Sequence, residues 1–174
     1  MKSKNTIIIK TAVSILAAVL LAVLYVIIFS FSNQDAETSG SLSHFVSEKC
    51  VEMINAFSGR QWTEAFREEM AAYFENPIRK LAHFGEYACM GILVYTMLRQ
   101  WLWRGRRLYF ITVFWTFVSA AADEIHQLFI PGRCGCFADV CLDTLGAVFG
   151  IFVCVLLEKI AGGAGKRRIR RAHK

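Results

Sequence analysis

Residues 11–31 read TAVSILAAVLLAVLYVIIFSF, 21 positions without a formal charge. At about 1.5 Å of rise per residue, such a helix covers the roughly 30 Å of a bilayer's hydrocarbon core, so the stretch predicts a membrane-crossing helix. Lys2, Lys4 and Lys10 stand before it, as they would before a signal peptide. The apolar run is too long for one, however, and no small-residue cleavage pattern follows Phe31. It is read as a retained anchor.

Working outward, three further apolar stretches follow, and each is interrupted by charge near one end only. With apolar residues at 55% of the 174-residue chain and gathered in blocks, the bilayer is the expected solvent. The fold class is all-α, a polytopic membrane protein built as a four-helix transmembrane bundle in one domain. Its spans are placed at about residues 8–31, 78–103, 108–130 and 138–160. Residues 32–77 form an outer loop and 161–174 a basic tail.

Orientation follows from Lys and Arg, because short loops rich in them stay in the cytoplasm. Of the 20 Lys and Arg residues, 14 fall in the N-terminal tip, the connection bearing Arg99, Arg104, Arg106 and Arg107, or the segment from Lys159 onward. Of the 14 Asp and Glu residues, 13 fall on the other side, Glu158 being the exception. Both termini are therefore expected in the cytoplasm. The basic balance is explained by topology and anionic lipid, not by nucleic acid.

The outer loop carries Val46, Cys50, Met53, Ile54 and Phe57, then Trp62, Phe66, Met70 and Tyr73, each set at helical spacing. Two short amphipathic helices are expected, lying in the interface with apolar faces down. Ser58-Gly59 should end the first, and Asn76-Pro77 reads as the N-cap and first position of the second span. Gly146 and Gly150 form a G-x-x-x-G whose default role is close packing within the bundle. The six cysteines are read as free thiols; in any bridge, Cys50 would pair with Cys134 or Cys136, which lie too close together to bridge each other.

The chemistry-bearing residues gather at three helix ends. Arg79, His83 and Glu86 stand at i, i+4 and i+7 beside Lys80. Asp123, Glu124, His126 and Gln127 close the third span before Pro131-Gly132-Arg133, and Asp139 and Asp143 open the fourth. The predicted topology puts all of them at the outer end. A charge at that depth costs a few kcal/mol unless it is paired or hydrated. Arg79, Lys80 and Arg133 suit phosphate, while His83, Glu86, Asp123 and His126 are the candidates for acid-base work. Neither His lies in a ligand pair of recognised spacing, so no metal site and no cofactor are expected. A polar network that only fixes helix register is the bland alternative.

Together the motifs resemble the VanZ-like family of bacterial membrane proteins. The resemblance rests on Phe31-Ser32-Asn33-Gln34, Arg79-Lys80-Leu81-Ala82-His83-Phe84-Gly85-Glu86-Tyr87, Asp123-Glu124-Ile125-His126-Gln127 with Pro131-Gly132-Arg133, and Asp139 with Asp143-Thr144-Leu145-Gly146. Cys134-Gly135-Cys136 departs from the pattern. The resemblance implies a multi-pass protein of the bacterial cytoplasmic membrane and a phenotype, reduced sensitivity to teicoplanin, but no reaction. It carries the family's motif residues onto Arg79, His83, Glu86, Asp123, Glu124, His126, Gln127, Arg133, Asp139 and Asp143. The expected partners are membrane lipids, with a cell-wall precursor lipid among the ligands to be tried. A lipid-modifying enzyme and a structural membrane subunit are the rival readings.

Overall fold

The computed structural model describes residues 2–102 and 105–172, with side chains over 4–102 and 105–162. Arg104 and most side chains of the basic tail thus lie outside the described residues, and what was expected of them stays there. The described chain is helical throughout: α1 (Lys2–Ser32), α2 (Ala36–Ser58), α3 (Glu64–Arg99), α4 (Arg106–Gln127) and α5 (Phe137–Ala172). Four of the five, all but α2, are long and apolar enough to cross a membrane. The chain has the architecture of a multi-pass helical membrane protein.

The apolar residues of α1 lie mostly on its outside. Val26 is 66% exposed and Ile8 64%, while Ala17, Leu21 and Ile28 form the narrow stripe that packs inward. A soluble helix would bury its apolar face; one surrounded by lipid has no need to. The centre is held by α3, whose Tyr87, Met90 and Val94 are packed against Leu21 and Ile28 of α1, Ala120 of α4 and Val140 of α5.

The tightest seam joins α3 and α5. A Cβ on Gly146 would run into the backbone of Phe84, one on Gly150 into Ala88, and one on Gly91 into Ala147. The G-x-x-x-G is therefore spent inside the chain, where absent side chains let two backbones touch.

The loop between the first two spans differs from expectation. Its first helix, α2, begins at Asp35, whose side chain accepts from the Thr38 N–H, and ends on Gly59 at φ 65°, where Ser58-Gly59 was read as a stop. The second short helix does not exist separately. Thr63 caps a single helix that runs through Pro77 to Arg99. A proline inside a helix removes one backbone bond and crowds the preceding turn. Here α2 lies alongside and holds the turns before the proline: Ser47 Oγ donates to the Ala71 carbonyl at 2.6 Å, and His44 sits 3.2 Å from Glu68 and 3.8 Å from Glu75. Asn76 does not cap; its Oδ1 accepts from Arg79 Nη2 at 3.2 Å.

The α2–α3 contact is also made by unexpected residues. Ser39, Ser43, Ser47 and Val51 are the buried face of α2, packed where Ala71 is fully buried. Met53 and Phe57, read as part of the apolar face, remain exposed along the flank. The small serine stripe lets the two helices approach closely, so α2 and the first half of α3 form a hairpin continuous with the bundle.

Candidate functional site

The polar end of the bundle is organised by the turn between α4 and α5. Gly132 adopts φ 73°, and a Cβ there would meet that of Ala36, so this turn can pass only as glycine. The next residue, Arg133, reaches across to α1: Nη2 donates to the Phe31 carbonyl at 3.0 Å and Nε to that of Gln34 at 3.1 Å. These carbonyls close the end of α1, where helical partners run out and a cation is favoured. Burial, then the neighbouring Arg79, push the Arg133 guanidinium below its ordinary value.

Glu124 has a comparable role. It is 7% exposed, and its Oε2 accepts from the Cys136 N–H at 2.7 Å, which ties the end of α4 to the start of α5. Lys80 and Asp139 form an ion pair between α3 and α5. Four charged residues of the motif, Arg133, Glu124, Lys80 and Asp139, thus have partners within the chain.

The remaining ones face cavities. A polar cavity of about 230 Å³ opens between α3, α4, the α4–α5 turn and α5, with Arg79, Lys80 and Arg133 in its wall together with Glu124, Asp139 and Asp143. Asp143 is 1% exposed, and neither carboxylate oxygen has a hydrogen-bond partner among the described residues. Gln127 also lines this space and donates to Asp123 Oδ2 at 3.2 Å. On the other side of Arg79, His83 and Arg133 lies a second cleft of about 180 Å³, walled by Phe31, Leu42, Val46 and Ile78, with Glu86 on its α3 side. His83 Nδ1 stands 3.4 Å from Glu86 Oε2.

His126 is not brought to either space. It stacks on Phe29 with ring centroids 5.1 Å apart and lines, with Asp123, Tyr25 and Tyr87, a separate cleft between α1 and α4. Gln127 and His126 are neighbours in sequence whose side chains part by about 100° around α4. The eleven candidate residues therefore divide among three spaces, with Asp123 linked to the main one only through Gln127.

Sequence reasoning missed Asn76, Leu42 and Val46 as parts of the site. Asn76 looked like a cap, Val46 like part of an apolar face lying in the interface, and Leu42 stood outside any pattern that was read; no local signal distinguishes a stripe that meets lipid from one that walls a cleft. All six cysteines are free thiols. No group of three or more His, Cys, Asp or Glu residues among the described ones is arranged to hold a metal ion.

A model of the VanZ/LLP1 family matches residues 17–158, which takes in the second and third spans whole, most of the fourth, the second half of the first, and every candidate residue. No curated protein and no solved structure matches the chain.

Proposed function

The chain belongs to the VanZ/LLP1 family, and from that membership we propose that it binds a phosphate-bearing envelope lipid at the polar end of its bundle. That end faces outward from a bacterial cytoplasmic membrane, with both termini inside, as the distribution of Lys and Arg argues. The observation that carries the reading is the shared wall: Arg79, His83 and Arg133 separate a polar cavity from an apolar-walled cleft. An amphiphile has the same division, and a guanidinium at the boundary suits the phosphate that lies between head and tail. Arg79, whose only partner among the described residues is the neutral Asn76 amide, is the cation left for that phosphate.

Occupancy of lipid or lipid-linked cell-wall precursor heads at the outer leaflet alters how teicoplanin-type glycopeptides engage the surface. The first test is binding of cell-wall and phospholipid heads by the protein in nanodiscs. A charge-assisted hydrogen bond is worth about 1.5–3 kcal/mol, so Arg79→Ala should weaken binding about tenfold or more. Absence of any binding by the wild type would end the proposal. Expression in a susceptible Gram-positive host at matched membrane abundance then tests the glycopeptide link separately.

One arrangement favours a second reading, an enzyme acting on such a lipid. His83 and Glu86 form an imidazole–carboxylate pair beside the unbonded Asp143, the elements of general acid-base catalysis. Extracted lipids would then change on expression, and the change would vanish with His83→Ala.

A further inference from the structure

We infer that the polar cavity takes a phosphoethanolamine-type head, a phosphate ester with a primary ammonium two carbons away, the phosphate at Arg79 and the ammonium on Asp143. The inference rests on the lipid-binding reading above and specifies the ligand for it.

The first argument is which polar groups of the wall are left without a partner. Lys80 is matched by Asp139, Arg133 by two carbonyls, and one oxygen of Glu124 by the Cys136 N–H. Arg79 has no ion pair and Asp143 no hydrogen bond among the described residues, and both stand in this wall beside His83. A cation and an unbonded carboxylate facing one space complement a dipolar ligand. A purely anionic head would satisfy Arg79 and leave the buried carboxylate facing like charge.

The second argument is Asp143 itself. A carboxylate with 1% exposure and no hydrogen-bond donor among the described residues is a costly arrangement, of the kind that marks a site completed by a ligand. Two further carboxylates, Glu124 and Asp139, line the same cavity. A primary ammonium supplies both positive charge and three N–H donors; a choline head supplies charge without donors, and a glycerol head donors without charge.

The third argument is size. A cavity of about 230 Å³ is smaller than the ~300–1,000 Å³ of pockets for drug-sized ligands and suits a small head. A disaccharide-peptide head would have to remain outside, with only its phosphates at Arg79.

The test is binding of phosphatidylethanolamine, phosphatidylcholine and phosphatidylglycerol to the full-length protein in detergent micelles, with soluble phosphoethanolamine as competitor. The ethanolamine lipid should bind about tenfold more tightly than either other lipid, the scale of one charge-assisted hydrogen bond. Asp143→Asn should abolish that preference while keeping the Arg79-dependent binding of phosphatidylglycerol. Competition by phosphoethanolamine as effective as by the whole lipid would support the head assignment with a soluble source; weak competition would support it with a lipid source. Equal binding of the ethanolamine and choline lipids by the wild type, or tightest binding of the glycerol lipid, would overturn the inference and leave lipid binding standing. Because that comparison uses the wild type, it decides the matter even where Asp143→Asn fails to fold. No binding of any lipid would remove both readings.

Discussion

Arg133 Nη2 donates to the carbonyl of Phe31 at 3.0 Å, a hydrogen bond that spans 102 residues of sequence and fastens the α4–α5 turn to the end of α1. Its Nε holds Gln34 in the same way, and the Ala36 N–H reaches Pro131 O at 3.3 Å. One side chain thereby fixes the connection from which α2 departs. Arg133→Met keeps the volume and removes the donors. It should cost about 1–3 kcal/mol, since hydrogen bonds to a charged group are worth roughly 1.5–3 kcal/mol and this guanidinium is partly solvated. Thermal unfolding in detergent measures the loss, and cleavage by protease between α1 and α2 should speed up with it; an unchanged melting curve would show that the turn is held by other contacts.

The α3–α5 seam offers a contrast between glycines. Gly150→Ala pushes a methyl group into the Ala88 backbone and should destabilise by about 1–3 kcal/mol, the usual range for overpacking. Gly85 lies in the same helix pair but a Cβ there meets nothing within 4 Å. Gly85→Ala should be neutral or stabilise by up to about 1 kcal/mol, from helix propensity alone. Melting temperatures of the two variants, measured side by side, would refute the packing assignment if they moved together.

Lys80 and Asp139 provide a pair suited to a double-mutant cycle. Their side chains are 41% and 29% exposed, so solvent screens much of the attraction and a coupling of about 0.2–1 kcal/mol is expected. Lys80→Ala alone should be worse than the double variant lacking both charges, because it leaves Asp139 unpaired among carboxylates. Strictly additive single losses would mean that the ion pair contributes nothing.

Acidification should loosen the start of α2 first. Hydrogen bonding from Thr38 holds the Asp35 carboxyl below the usual carboxylate range, with Arg133 adding to the shift. A folded-state value below the unfolded one means that the stabilisation is fully present above the ordinary carboxylate pKa and is lost as pH falls through the lowered value. Hydrogen exchange at the Thr38 amide, corrected for its intrinsic pH dependence, should accelerate below about pH 4, near the unperturbed Asp value. Asp35→Asn, which still accepts the bond without titrating, should remove the acceleration; if it persists in that variant, another carboxylate is responsible.

Much of this was readable in the chain alone, for reasons that can be named. Residues 11–31 cross a membrane because their summed transfer free energy is a local property that no packing partner needs to supply. Gly59 ends α2 because the left-handed conformation there suits a residue without Cβ. The clustering of Arg79, His83, Asp139 and Asp143 followed from counting helix turns from one side of the bilayer to the other. The same counting failed at Pro77, where it predicted a helix start. Support from α2, a helix some thirty residues earlier, outweighed the local cost of proline, and nothing adjacent to Asn76 signals that support.

Which charges are paired and which have no partner among the described residues was decided only in three dimensions. Arg79 and Arg133 have the same chemistry and the same expected depth, yet one holds the carbonyls of α1 and the other faces the cavity. Asp139 and Asp143 stand one turn apart on α5; the first meets Lys80 and the second meets no donor among the described residues. Hydropathy and helical periodicity place a residue on a helix and at a depth. Its partner depends on how each helix is rotated against the next, and here that rotation is set by backbone contacts at Gly91, Gly146 and Gly150, the second of which packs on Phe84 beside His83.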